Sequence, residues 1–122
     1  MAGVLNKLCI RFRYEPYHYV LGTRRGQVGF QPDFWLEPCS QWRNGLHVEL
    51  TWADRPYYRS PRTEKIAADA LARKHLQINL LRQQEGIVTV LIGFRNWQRI
   101  IKNPTYLYRL IKKAQEPRKH SR

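Results

Sequence analysis

Two apolar runs decide the fold of this chain: Val28-Gly29-Phe30-Gln31-Pro32-Asp33-Phe34-Trp35-Leu36 and Leu46-His47-Val48-Glu49-Leu50-Thr51-Trp52. Short stretches rich in aromatic and β-branched residues, bounded by Gly, Pro and Asn, read as strands. Each run carries one carboxylate, Asp33 in the first and Glu49 in the second, with a turn-forming stretch from Pro38 to Gly45 between them. If the runs pair as neighbours, the two acids meet at one edge of a sheet. Two carboxylates there offer hard oxygen ligands to a divalent cation.

Upstream, Cys9 to Val20 reads as one strand, with Ile10, Phe12 and Tyr14 alternating against Arg11 and Arg13. Gly22-Thr23-Arg24-Arg25-Gly26 reads as a hairpin turn. Downstream, Arg55 to Arg62 contains Pro56 and Pro61 and predicts a loop. Ser60-Pro61 supplies an N-cap with proline at the first helical position, and Gly86 supplies the left-handed exit after Glu85. Ile87-Val88-Thr89-Val90-Leu91-Ile92 has the pattern of a strand covered on both faces. Phe94 to Lys102 and Thr105 to Ala114 read as helices, the second with Leu107, Leu110 and Ile111 on one side. The order predicts an α/β (α+β) fold, a mixed central sheet of about four strands flanked by helices.

A chain of 122 residues holds one small domain. It is placed at residues 1–115, with 116–122 a basic tail carrying Arg118, Lys119 and Arg122. The formal net charge of +13 makes nucleic acid the leading partner, because Lys and Arg release counterions when they meet phosphates. Candidate contacts are Arg24 and Arg25 in the hairpin turn, Trp42-Arg43, and Tyr57, Tyr58, Arg59 and Arg62 in the loop after the Glu49 strand, where rings interleave with arginines. Two cysteines, Cys9 and Cys39, are too few for a disulfide framework or a thiolate zinc site, which points to a reducing, cytoplasmic setting. No window approaches membrane-spanning length, and Met1 to Leu8 lacks a signal-peptide core.

Tyr14-Glu15-Pro16, then Pro32-Asp33-Phe34-Trp35-Leu36, then Val48-Glu49-Leu50-Thr51, followed by a lysine-bearing helix and an apolar strand, resemble the PD-(D/E)XK nuclease superfamily over roughly residues 10 to 100. The resemblance implies a restriction-endonuclease-like fold and hydrolysis of phosphodiester bonds, with DNA ahead of RNA as substrate. It implies that Asp33 and Glu49 bind Mg²⁺ or Mn²⁺, and that the main-chain carbonyl of Leu50 is a third ligand. The family's lysine is expected two positions after the glutamate. Here that position holds Thr51, whose hydroxyl carries no fixed positive charge.

Helix geometry nominates a substitute. With about 100° per residue, Lys74 falls in the middle of a stripe formed by Ala67, Ala70, Leu71, Ile78 and Leu81, which must face the sheet. A lysine there needs an acidic partner, and Asp33 and Glu49 are the obvious ones. Gln77, on the edge of that stripe, is placed to bond the attacking water or the phosphate. Lys65, near Ala68 and Asp69, faces water. Glu15 is expected to pair with Arg13 or Arg25, Glu37 to be a solvent-facing turn residue, and His47 a surface histidine. His47-Val48-Glu49 matches the His-X-Glu element of zinc deaminases, but no Pro-Cys-X-X-Cys follows it. Only a short stretch precedes the first strand, and it contains no acid. Two readings follow: a nuclease, acting as a homodimer or with a completing partner subunit, or a catalytically inactive nucleic-acid-binding module or nucleoprotein subunit.

Overall fold

Glu15 adopts a left-handed backbone with φ of 46°, and there the first extended stretch breaks in two. In the computed structural model, which describes residues 1–54 and 60–117, a short helix α1 (Ala2–Lys7) leads into β1 (Phe12–Tyr14). A hairpin follows, formed by β2 (Tyr19–Thr23) and β3 (Gly26–Phe30), and then β4 (Phe34–Leu36). The sequence predicts single strands over 9–20 and 28–36; each is two. The break on β1 falls at Glu15. β1 and β4 pair antiparallel with Phe12 opposite Leu36, and the amide of Glu15 donates to the Asp33 carbonyl at 2.8 Å. The left-handed backbone at Glu15 then carries the chain out of the ladder, and Pro32, which has no N–H, separates β3 from β4. The chain then leaves as a separate two-stranded sheet.

β5 (Leu46–Leu50) pairs antiparallel with β4 and parallel with β6 (Thr89–Ile92), giving the mixed four-stranded order β1-β4-β5-β6. Gly45 enters β5 with φ of 71°, and a side chain there would collide with the Trp35 ring. The strand period of two divides the sheet into unlike faces. Phe34, Leu36, Leu46, Val48, Val90 and Ile92 form the core against α1, α3 (Phe94–Lys102) and α4 (Tyr106–Gln115), which contribute Leu5, Ile100, Leu107 and Ile111. The opposite face carries Asp33, Trp35, His47, Glu49 and Thr89. It is the polar face.

The long helix α2 (Pro61–Glu85) starts and stops as its sequence dictates. Ser60 Oγ accepts from the Thr63 amide at 3.3 Å, and Gly86 exits with φ of 67°. Its second half packs on the hairpin, where Leu81, Leu21 and Phe30 make a small second core. The side-chain amide of Gln84 bonds both the N–H and the C=O of Gly22. The apolar stripe expected from Ala67 to Leu81 packs only over its later part, and Ile66 is 59% exposed. Length explains this: a 25-residue helix spans about 38 Å, whereas β5 spans about 16 Å, so the helix outruns the sheet it covers.

Asp54, just after β5, caps α3 through a 2.8 Å bond from the Phe94 amide to its carboxylate. Gly93 leaves room for that carboxylate, which any side chain at this position would strike. Among the described residues, no helix is long and apolar enough to cross a membrane.

Candidate active site

Carried one pair beyond Phe34 and Val48, the β4–β5 register sets Asp33 opposite Glu49. There the ladder changes character, because carboxylates replace carbonyls as acceptors. The amide of Asp33 donates to Glu49 Oε1 at 3.0 Å, and the amide of Leu50 donates to Asp33 Oδ2 at 2.8 Å. Each acid is thus fixed by the other's strand. Lys74, reaching down from α2, donates its ammonium to Glu49 Oε2 and forms a salt bridge there. The three groups nominated from the sequence converge, although they lie on three different elements.

The electrostatics follow from burial. Glu49 is only 3% exposed. Its carboxyl is pushed up to about 7, first by desolvation and also by the nearby Asp33 carboxylate, against the Lys74 hydrogen bond and charge, which pull it down. The net upward shift means that one neighbouring ammonium leaves this carboxyl short of positive charge. A second cation would stabilise its ionised form.

The donor set fits a hard divalent ion. The Leu50 amide points to Asp33, and the Leu50 carbonyl projects to the same side of the strand. Among the described residues there is no group of three or more His, Cys, Asp or Glu side chains that could hold a metal ion.

Thr51, where the resemblance would expect a lysine, is buried, and its hydroxyl accepts from the Ala53 amide at 3.2 Å. It shapes the turn after β5. Gln77 is not turned to the acids: its side-chain amide donates to the Gly29 carbonyl at 2.9 Å and fastens α2 to the hairpin. Glu15 pairs with neither Arg13 nor Arg25. Arg13 instead meets Glu37 at 3.4 Å, so Glu37 is a paired residue on the sheet edge, while the Glu15 charge is the main cause that pushes the Tyr14 hydroxyl up.

The expected nucleic-acid contacts divide. Trp42 is a core residue, 4% exposed, stacked on Tyr108 and donating its indole N–H to the Glu37 carbonyl at 2.8 Å. An aromatic in a polar turn is expected at the surface, but this turn folds back over α4. Arg43 is exposed but stands at the end of β4 and β5 opposite to Asp33 and Glu49. Arg24 and Arg25 are exposed at the hairpin tip, beyond Gln84 and about 15 Å along α2 from Lys74. Arg62 is exposed near the other end of α2. Tyr57, Tyr58 and Arg59, and the tail residues Arg118, Lys119 and Arg122, lie outside the described residues.

His47 lies on the polar face of the sheet, buried where the sequence predicts a surface histidine. It has no exposed surface and sits among Tyr17, Tyr19 and Trp35. Its Nδ1 lies 3.1 Å from the Phe34 carbonyl and its Nε2 2.7 Å from the Tyr19 hydroxyl, which suits a neutral ring donating to the first and accepting from the second. Burial pulls its pKa down to about 4 against the Phe34 bond. A depressed pKa stabilises the fold above the ordinary value of 6.5 and loses that contribution as pH falls toward 4. The loss is roughly 3 kcal/mol at most for a shift of this size. Urea midpoints measured between pH 7 and pH 4 are expected to fall more steeply for the parent than for His47→Asn. Parallel curves would show that the imidazole is not the acid-labile group.

Comparisons with protein-family models, with curated proteins and with solved structures found no match to this chain.

Proposed function

We propose that this chain is a metal-dependent nuclease of the PD-(D/E)XK kind, with Lys74 of α2 standing in for the lysine missing at position 51. One observation supports the reading above the others: Asp33, Glu49 and Lys74 come from three elements and meet at one end of the sheet. A buried ion pair is costly and adds little to stability by itself, so a fold that buries Glu49 beside a second carboxylate favours a functional use.

Asp33, Glu49 and the Leu50 carbonyl would hold Mg²⁺ or Mn²⁺. The bound ion supplies Lewis-acid polarisation of the phosphodiester and lowers the pKa of water. Glu49 would serve that position while its Oε2 keeps the Lys74 ammonium beside it. Lys74, about a third exposed, is then placed to orient the attacking water or to neutralise charge that develops on phosphate. The exposed Arg24, Arg25 and Arg62 are spread along α2 and the hairpin, so they suit the backbone of an extended polyanion, DNA before RNA, on either side of the acids. An intracellular setting beside DNA accords with this charge.

Plasmid and oligonucleotide substrates incubated with Mg²⁺ or Mn²⁺ test the reading. Cleavage is expected from the parent and is expected to vanish with chelator and in Asp33→Ala. A parent that binds DNA and never cleaves it is instead the inactive binding module, and cutting that survives Asp33→Ala comes from elsewhere.

A further inference from the structure

We propose that the free edge of β6 is a docking site for an acidic, extended segment of a partner protein, bound as an added strand. The inference does not depend on the nuclease reading. β6 is the last strand of its sheet, and only one side of it is paired. The His47 amide donates to the Val88 carbonyl at 2.9 Å and the Thr51 amide to the Ile92 carbonyl at 3.0 Å. In a parallel ladder of this register the even-numbered residues turn toward β5. Thr89 and Leu91 therefore direct their N–H and C=O groups to the outer side. Among the described residues, no main-chain or side-chain bond to those groups is formed.

A second observation points to the same place. Thr89 is 6% exposed, and its hydroxyl is a buried side-chain oxygen with no hydrogen-bond partner among the described residues. A buried unmade hydrogen bond costs about 1–3 kcal/mol, so its persistence favours a partner that arrives from outside. Thr89 and Leu91 form the floor of a cavity of about 490 Å³ between the second half of α2 and the end of α4. Exposed edges are usually blunted with lysine, proline or a bulge. Thr89-Val90-Leu91-Ile92 has none of these.

The walls define the occupant. Ile78 and Leu91 give the cavity apolar surface, while Arg82 and Lys113 put cationic side chains on its rim against Glu116, the one acid there among the described residues. Arg82 is held in place, since its guanidinium donates to the Ala114 and Glu116 carbonyls at 3.0 Å each and so fastens α4 as one wall. A strand with apolar residues on one side and carboxylates on the other would satisfy the edge amides, the Thr89 hydroxyl and the rim together. A second copy of this chain fits poorly, because two-fold pairing of β6 edges would set each cationic rim against its own image.

The test uses ¹⁵N-labelled full-length protein and a capped peptide of about eight residues that alternates valine with glutamate, a minimal mimic of strand addition. The Thr89 and Leu91 amides are expected to shift and to gain exchange protection, while Val90 and Ile92, already bonded to β5, change little. Leu91→Pro removes an outward N–H without removing a bond to β5, and is expected to abolish binding. Lys113→Glu, an exposed change that leaves the fold intact, is expected to weaken binding about tenfold and keeps the test decisive if the proline variant does not fold. Binding that shifts other amides, survives both variants, or is matched by a valine-lysine peptide overturns the proposal. So does preferential perturbation of these amides by duplex DNA, or their protection in a concentration-dependent dimer.

Discussion

Lys74→Met is expected to lower the rate of metal-dependent cleavage by about 10²- to 10³-fold, the loss typical of deleting one charge-stabilising donor from a reaction centre. Methionine keeps the unbranched stem and removes the ammonium, so the packing of α2 on the sheet is retained. DNA binding is expected to stay within about twofold at fixed salt, because the Lys74 ammonium is held by Glu49 and is not one of the backbone contacts on whose number the salt dependence rests. That division, rate lost and binding kept, separates a reacting group from a backbone contact. Arg62→Ala should behave the opposite way. Single-turnover kinetics with saturating enzyme and a filter-binding isotherm measure both quantities, and Lys74→Arg should restore part of the rate. A Lys74→Met variant that cuts at the parent rate would remove the ammonium from the mechanism.

Much of this site was legible in the sequence, for reasons that differ by residue. Asp33 and Glu49 could be paired because each ends a strand-like run and the connection between them is short, which restricts them to neighbouring strands. Lys74 could be nominated from helical periodicity alone, since a lysine inside an apolar stripe has to meet something on the sheet. α2 was bounded by Ser60, Pro61 and Gly86, whose cap conformations are local and independent of tertiary context. What escaped was non-local. The separate hairpin depends on the left-handed backbone at Glu15, a conformation that a glutamate does not announce. Gln77 shares the sheetward side of α2 with Lys74, yet one turn along the helix the neighbour is the hairpin and no longer the acids. Trp42 and His47 were placed by residue type, which cannot anticipate a turn that folds over α4 or an aromatic enclosure assembled from β2, β4 and β5.

The polar face of the sheet also shows why the acids end where they do. Trp35, His47 and Glu49 succeed one another across β4 and β5, and only the last stands at an open end. Tyr19 ties His47 to the hairpin, and Gln77 and Gln84 tie the hairpin to α2. These polar bonds fix the height of α2 above the sheet and hence the reach of Lys74. Preorganisation of this kind keeps the ammonium in place before any substrate arrives.

Glu49→Gln is expected to abolish the rise in melting temperature that Mg²⁺ gives the parent, and with it the pH dependence of that rise. The folded-state pKa of Glu49 is raised from 4.5 to about 7, chiefly by burial, so the folded protein holds a proton that the unfolded chain has already released. That contribution is complete below about 4.5 and is lost as pH climbs through 7. A divalent cation reverses the sign, because it binds the ionised carboxylate and competes with the proton. The parent's apparent affinity for Mg²⁺ should therefore strengthen from pH 6 to pH 8, by up to about tenfold per unit on the acid side of the titration. Glutamine is nearly isosteric and never ionises, so Glu49→Gln should show weak, pH-independent binding, and cleavage should fall at least as far as in Lys74→Met. Thermal melts across that range, with and without Mg²⁺, decide the matter. A cation shift in the variant equal to the parent's would place the ion elsewhere and leave the Asp33–Glu49 pair as an element of structure alone.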